Sequence, residues 1–160
     1  MRTELFIDGD WREGEGEAFV SHDPATGEKV WDGRAASEDD VAEAMAAARL
    51  AFPGWSRRPL QERVDIVRAF GKAIEKRGDV LARTISREMG KVAWDSKAEV
   101  QAMVGKIELS IRAQAERAGA REEKAPFGAM ALSHQAHGVL AVFGPFNFPG
   151  HLPNGHIVPA

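Results

Sequence analysis

The distribution of charge along the chain is the feature that most constrains its fold. All 21 Lys and Arg residues and all 24 Asp and Glu residues precede Ala125, and the segment from Ala125 to Ala160 contains none of them. Charged side chains are almost never fully buried unless they are paired, so a long segment without them is typical of a protein interior. We therefore predict that residues 125–160 lie inside something larger, and that the chain is the front part of a longer protein.

Residues 1–36 predict a small β arm. Asp8-Gly9 stands between apolar positions, and an Asp-Gly pair in that setting is a strong hairpin signal because glycine tolerates positive φ. Two more apolar pairs, Phe19-Val20 and Val30-Trp31, flank a turn that contains Pro24. We expect short strands on both sides of each turn.

Residues 37–120 predict four amphipathic helices, because apolar residues recur there with helical spacing. Ser37 and Asp40 form a capping box that begins the first helix, and Pro53-Gly54 is expected to end it. The second helix is expected between Pro59 and Gly78, and the third between Asp79 and Gly90. The fourth is expected to begin at Ser96 with Glu99. We interpret Glu88-Met89-Gly90-Lys91 as a helix end with a left-handed glycine cap.

Residues 121–160 predict a strand pair, which includes the run 130–134, followed by the start of a sheet. The run 138–143 is apolar at nearly every position, which is typical of a strand covered on both faces in a parallel sheet. Only one such strand is present, so we expect its sheet to continue beyond Ala160 or in another chain. The expected fold class is α/β, with a β arm, four helices and the first strand of an incomplete parallel sheet.

Composition excludes several functions. The net charge is −3, so no overall field attracts nucleic acid or anionic lipid. The lack of cysteine rules out disulfides, zinc–thiolate sites and a cysteine nucleophile within these residues. The most apolar stretch, 138–148, is interrupted by Gly144 and Pro145 and falls short of the roughly 20 residues that a bilayer-spanning helix needs. We expect a cytoplasmic protein that binds neither nucleic acid nor membrane.

Four histidines in the uncharged segment raise the question of a metal site. His151 and His156 are five residues apart, which does not place them on one helical face, and no carboxylate or thiol lies near them in sequence. We therefore predict no metal site and interpret the histidines as neutral side chains that bond to the backbone or line a pocket. The usual glycine-rich phosphate-binding motifs are missing as well.

Asn147 is the strongest candidate for a functional side chain. It follows the predicted strand and a Gly-Pro turn, and it precedes Phe148-Pro149, where proline favours the start of a new helix. A side chain at the carboxyl end of a parallel strand lies where α/β sheets bind ligands, and an amide can donate to an oxygen. The alternative is a turn asparagine bonded to its own backbone. Spacing alone leaves both interpretations open.

The segment Phe143-Gly144-Pro145-Phe146-Asn147-Phe148-Pro149 resembles the strand–turn motif of the aldehyde dehydrogenase superfamily, in which a tryptophan is more common at the position of Phe146. Other segments agree with that superfamily in their order along the chain: Phe6-Ile7-Asp8-Gly9-Asp10-Trp11, Asp23-Pro24-Ala25-Thr26-Gly27-Glu28, Ala51-Phe52-Pro53-Gly54-Trp55, Glu88-Met89-Gly90-Lys91 and Gly138-Val139-Leu140-Ala141-Val142. Their order and spacing together make the resemblance specific.

The resemblance implies NAD-dependent oxidation of a small-molecule aldehyde to an acid. In the superfamily a cysteine thiolate attacks the aldehyde and a glutamate activates water, and both lie downstream of these segments, so the chain alone should be inactive. The resemblance makes Asn147 the catalytic donor to the oxyanion. It makes Phe143, Gly144, Pro145 and Phe146 a wall of the cofactor cleft, on the first strand of a dinucleotide-binding sheet. It also implies a homo-oligomer for the full-length protein.

The segment from Gly150 to Ala160 is most similar to members that oxidise succinylglutamate semialdehyde in arginine catabolism. There His151, Leu152 and Gly155 would face the substrate passage. The small Gly155 would leave room for a long dicarboxylic aldehyde, whose charge a histidine would help to receive. Two alternatives stay open: a dehydrogenase for a different semialdehyde, and a non-catalytic interaction module that docks through the uncharged segment.

Overall fold

The computed structural model describes residues 3–160, and its first element is a tight antiparallel hairpin. Strand β1 (Leu5–Ile7) pairs with β2 (Asp10–Arg12), and the two residues between them, Asp8 and Gly9, have φ values of 51° and 93°. Two positive φ values in succession are what a type I′ turn needs. The hairpin predicted at this Asp-Gly pair is therefore confirmed.

Strands β3 (Ala18–His22) and β4 (Lys29–Arg34) form a second hairpin that contains the two apolar pairs predicted as strands. The ring of Phe19 packs edge-on against that of Trp31, with 4.8 Å between the ring centroids. The Trp31 indole also donates a hydrogen bond to Glu88, which ties this hairpin to the helices. The first two residues of the predicted arm, Met1 and Arg2, lie outside the described residues.

Helix α1 (Glu38–Ser56) begins at the predicted capping box. The backbone N–H of Asp40 donates to the Ser37 hydroxyl at 3.1 Å, and the Ser37 N–H donates to the Asp40 carboxylate at 2.9 Å. The prediction that Pro53-Gly54 ends this helix is wrong. Proline lacks an N–H and removes one intrahelical bond, but the residues after it still complete the last turn, and the helix continues to Ser56.

Helices α2 (Leu60–Lys76), α3 (Gly78–Met89) and α4 (Ala93–Ala113) pack together and contain the core. Both α2 and α3 pack against α4. The buried cluster between them consists of Ile74, Ala82, Ile85 and Val100. Gly71 of α2 lies so close to α4 that a Cβ at position 71 would stand 2.8 Å from Cγ1 of Ile107. The absence of a side chain at this position therefore allows the two helices to approach.

Two predicted helix starts are wrong. α3 begins at Gly78, and Asp79 lies in its first turn without a capping hydrogen bond from its side chain. α4 begins at Ala93, so Ser96 and Glu99 lie inside the helix, where they are 0% and 3% exposed. A serine followed three residues later by glutamate is the pattern of a capping box, but here both side chains are buried against neighbouring elements.

A π-helical turn (Gln114–Ala118) follows α4 and leads to a third antiparallel hairpin. It pairs β5 (Arg121–Ala125) with β6 (Gly128–Leu132), and every residue of β6 is exposed. This strand lies two residues earlier than the run 130–134 that the sequence predicts. Among the helices described between residues 3 and 160, none is both long enough and apolar enough to cross a membrane.

The strand predicted at 138–143 is not formed. The described residues between Leu132 and His151 contain neither helix nor strand. A strand needs a partner in a hydrogen-bonded ladder, and the strands of residues 3–160 pair only within their own hairpins. Part of the apolar surface of this run is left uncovered, since Leu140 is 55% exposed, whereas Val139 and Val142 are half-buried. Helix α5 (His151–Ile157) follows and packs on α4.

Candidate functional site

Most of the site residues predicted from the sequence lie in a turn, residues 143–150, that leads into α5. Gly144 packs directly against Pro153 of α5, and a Cβ at position 144 would overlap the proline ring. Its aromatic neighbours Phe143 and Phe146 point outward and are 93% and 83% exposed. Pro145 between them is half-buried. The turn therefore presents an aromatic outer surface on a closely packed backbone.

Asn147 lies in the middle of this turn, and its side chain is exposed. Its backbone carbonyl accepts a hydrogen bond from Lys91, at 3.3 Å between Nζ and O. Within residues 3–160, no hydrogen bond involves the side-chain amide of Asn147. The amide is not bonded to its own turn, and both of its N–H donors are available to a group outside the turn.

Lys91 joins the Asn147 turn to the helices. Its ammonium donates to the Glu99 carboxylate at 2.7 Å, lies 3.2 Å from the Asp95 carboxylate, and stands 4.0 Å from the centre of the Phe148 ring. A cation over an aromatic face is attracted by the ring quadrupole. Burial acts to lower the pKa of Lys91, but the hydrogen bonds to Glu99 and Asp95 outweigh it and hold the pKa above its ordinary value. The side chain therefore stays charged at neutral pH.

Glu99 connects the same turn to the start of α5. One carboxylate oxygen accepts from Lys91, and the other accepts from the backbone N–H groups of Gly150 and His151, at 2.9 and 3.1 Å. The first N–H groups of a helix have no partner within it, and the helix dipole favours a negative charge there. Glu99 therefore caps α5 from a different helix.

The roles of Lys91 and Glu99 are absent from the sequence-based predictions. Gly90 ends α3 with a φ of 66°, as predicted, but a helix end accounts for only part of this segment because Lys91 reaches across to Asn147. One signal could have identified Glu99. It directly precedes Val100 and lies four residues before Met103, on the apolar stripe of α4, where an unpaired charge would be costly.

The three residues predicted to face the substrate lie on α5. His151 packs against Phe148, with 6.3 Å between the ring centroids, and among the described residues its buried Nδ1 atom has no hydrogen-bond partner. Leu152 is exposed. Gly155 lies beside α4, and a Cβ there would stand 3.8 Å from the ammonium of Lys106. The described part of the chain contains no cluster of His, Asp or Glu suited to a metal ion.

The sequence is similar to known proteins over nearly its whole length. Residues 11–160 match the sequence profile of the aldehyde dehydrogenase family. The chain belongs to this family. It is 56% identical over 160 residues to N-succinylglutamate 5-semialdehyde dehydrogenase 2 of Caulobacter vibrioides, a match that covers 100% of this chain and 33% of that protein. The chain therefore spans about a third of the length of the curated relatives it matches.

Solved structures of aldehyde dehydrogenases share the fold of this chain. NADP-dependent glyceraldehyde-3-phosphate dehydrogenase of Bacillus halodurans, complexed with NADP, is 25% identical with a TM-score of 0.87, over 96% of this chain and 34% of that chain. A variant of betaine aldehyde dehydrogenase of Staphylococcus aureus, in complex with NAD+, is 25% identical with a TM-score of 0.69, over 77% of this chain and 26% of that chain. The predicted fold, the N-terminal portion of the α/β aldehyde dehydrogenase fold, is confirmed.

Proposed function

We propose that this chain is the N-terminal part of an enzyme that oxidises an aldehyde to an acid with a nicotinamide dinucleotide, and that Asn147 stabilises the oxyanion. One observation carries the proposal: the Asn147 amide is exposed and unbonded within residues 3–160, on a main chain that Lys91 holds. Membership of the aldehyde dehydrogenase family supports the reaction class. A donor already in place stabilises developing charge well because it need not reorient as the charge forms.

The chain supplies only one part of the reaction. It contains no cysteine, so the full-length protein must provide the thiolate that adds to the aldehyde carbon and the glutamate that activates water. As the thiolate adds, the carbonyl oxygen becomes negative, and the Asn147 N–H donates to it. A nicotinamide dinucleotide bound beside this turn would supply the hydride acceptor that the oxidation needs.

The cofactor cleft is proposed to lie along the outer surface of the turn. The exposed rings of Phe143 and Phe146 offer apolar surface, and between them Gly144 packs directly against Pro153 while Pro145 is half-buried. Relatives bind NADP in one solved structure and NAD+ in another, which supports a nicotinamide dinucleotide. We propose NAD for this protein on the basis of its resemblance, and steady-state rates with each cofactor test that choice.

Succinylglutamate semialdehyde is the proposed substrate, as the name of the Caulobacter relative suggests. Two observations support a long aldehyde that carries carboxylates. Position 155 has no side chain, and the Lys106 ammonium beside it forms no ion pair within residues 3–160. Leu152 and the half-buried His151 lie on the same helix as Gly155. We propose that they complete the lining of the substrate passage.

Variants at these positions test the substrate in the full-length protein. Gly155→Trp should reduce kcat/KM for succinylglutamate semialdehyde far more than for a short aldehyde, because the indole fills space that only the long substrate uses. Lys106→Met should raise KM for the charged substrate and leave an uncharged aldehyde unaffected. Equal losses of kcat/KM for succinylglutamate semialdehyde and for a short aldehyde would contradict this part of the proposal.

The oxyanion role is tested by Asn147→Ala in the full-length protein. Loss of one such donor lowers kcat by about 100- to 1,000-fold, and KM should change little because the interaction is made in the transition state. Gln135→Ala is a matched control, since it removes an exposed amide elsewhere in the uncharged segment. A kcat for Asn147→Ala within about twofold of the parent and of this control would contradict the proposal.

A second hypothesis, a non-catalytic module that docks onto a partner, is supported by the exposed apolar side chains of the uncharged segment, including Phe127, Phe143 and Phe146. An enzyme would cover the same surface with its cofactor at Phe143 and Phe146, with its remaining residues and, at the exposed β5–β6 hairpin, with a second copy in a homo-oligomer. A cytoplasmic location is part of the enzyme proposal. Sequencing the reading frame separates the hypotheses, because only the enzyme requires a downstream cysteine and glutamate.

A further inference from the structure

The Asn147 turn is held at its middle and at its carboxyl end by side chains from outside it. In the middle, Lys91 donates to the carbonyl of Asn147 at 3.3 Å. At the carboxyl end, Glu99 accepts from the N–H groups of Gly150 and His151 at 2.9 and 3.1 Å. The two side chains are joined to each other at 2.7 Å. Three residues of the segment 147–151 are therefore hydrogen-bonded to one ion pair, and the ring of a fourth, Phe148, lies against its ammonium.

We propose that Lys91 and Glu99 are positioning residues that set the direction in which Asn147 presents its amide, an inference that rests on the proposed function. No hydrogen bond within residues 3–160 fixes the Asn147 side chain, so the position of its amide depends on the main chain that carries it. An oxyanion donor works at about 2.7–3.1 Å from the oxygen. A misplacement of about 1 Å can cost about 100-fold in rate.

Stability alone is a poor explanation for this ion pair. Glu99 is 3% exposed, and the desolvation of two charges offsets much of their attraction, so a buried pair is weak support for a fold. Its contacts are more informative. The ammonium contacts the Asn147 carbonyl and the Phe148 ring, and the carboxylate caps the helix that follows. All of these contacts restrain the same turn.

The test is a double-mutant cycle in the full-length protein. Lys91→Met removes the ammonium and keeps most of the side-chain volume, and it should lower kcat by about 10- to 100-fold with KM and cofactor affinity unchanged. In an Asn147→Ala background, the same substitution should cost less than about twofold, because no donor is left to misplace. Lys91→Arg should recover most of the loss in kcat, since a guanidinium can donate both to Glu99 and to the Asn147 carbonyl.

Two comparisons separate positioning from a general effect on folding. Lys97→Met, which removes an exposed ammonium from the same helix that carries Glu99, should leave kcat unchanged. If Lys91→Met lowers kcat by the same factor with and without Asn147, the positioning role is overturned. If Lys91→Met does not fold, Lys91→Gln is used in the same cycle with the same criterion.

Failure of the proposed function gives a different result. In that case Asn147→Ala itself leaves kcat unchanged, and the positioning role is then tested by crystal structures of the parent and of Lys91→Met. A shift of the Asn147 main chain by about 1 Å would support the role of Lys91. An unmoved turn in the variant would overturn it.

Discussion

Replacement of Gly71 by alanine tests how closely α2 packs against α4. Alanine is favoured over glycine in a helix interior by about 0.8–1.0 kcal/mol. The added methyl group, however, would lie 2.8 Å from Cγ1 of Ile107, well inside the optimum carbon–carbon separation of about 3.5–4.0 Å. Ile107 is 4% exposed and has little room to move aside. Overpacking costs about 1–3 kcal/mol, so after the helix gain is subtracted we expect a net change between neutral and a loss of about 2 kcal/mol in the free energy of unfolding.

Urea denaturation followed by tryptophan fluorescence measures this loss. Gly105→Ala is the matched control, because Gly105 lies inside α4 and a Cβ there would meet nothing within 4 Å. It should raise the free energy of unfolding by up to about 1 kcal/mol. In an Ile107→Ala background the Cγ1 atom is gone, and Gly71→Ala should become neutral or stabilising. If Gly71→Ala stabilises the protein as much as Gly105→Ala does, close packing against Ile107 does not limit the side chain at position 71.

Two further predictions concern pH. Burial raises the pKa of Glu88 above its ordinary value, so its contribution to stability is present below the unfolded-state pKa and lost as pH rises through the folded-state pKa. Glu88→Gln keeps an acceptor for the Trp31 indole and should raise Tm at neutral pH but not in acid; a Tm gain confined to acid would contradict this. Hydrogen bonds from the backbone of Glu15 and Ser37 hold the pKa of Asp40 below its ordinary value, so its contribution is present above the unfolded-state pKa and lost as pH falls through the folded-state pKa. Asp40→Asn should therefore lower Tm at neutral pH, and a difference from the parent that persists undiminished in acid would show that the charge is not the cause.

The predicted elements that agree with the structure depend on short-range chemistry. The Asp8-Gly9 hairpin, the Ser37–Asp40 capping box and the left-handed Gly90 each involve residues within a few positions of one another. The two wrong helix starts, at Asp79 and at Ser96, used the same kind of pattern. Ser96 does not begin a helix but is buried within one. A local sequence pattern contains no information about the elements that pack against a helix and bury such a side chain.

The candidate site likewise has features that the sequence could predict and features that it could not. Asn147 could be singled out because a glycine–proline turn, an amide and a following proline are adjacent in sequence. Whether it bonds to its own turn could not be predicted, since the answer depends on how the main chain is held. Lys91 holds it from 56 residues away, and Glu99 reaches Gly150 across 51 residues.

Local chemistry in the sequence was therefore sufficient for the hairpins and most helix bounds, and the order of its motifs was sufficient for the resemblance to the family and for choosing Asn147 as a candidate site residue. Tertiary packing alone set the partners of the buried charges, the close approach at Gly71 and the conformation of 138–143. The physical reason is range. Turn geometry and capping act over a few residues, whereas a buried ion pair or a strand ladder depends on groups that only folding brings together.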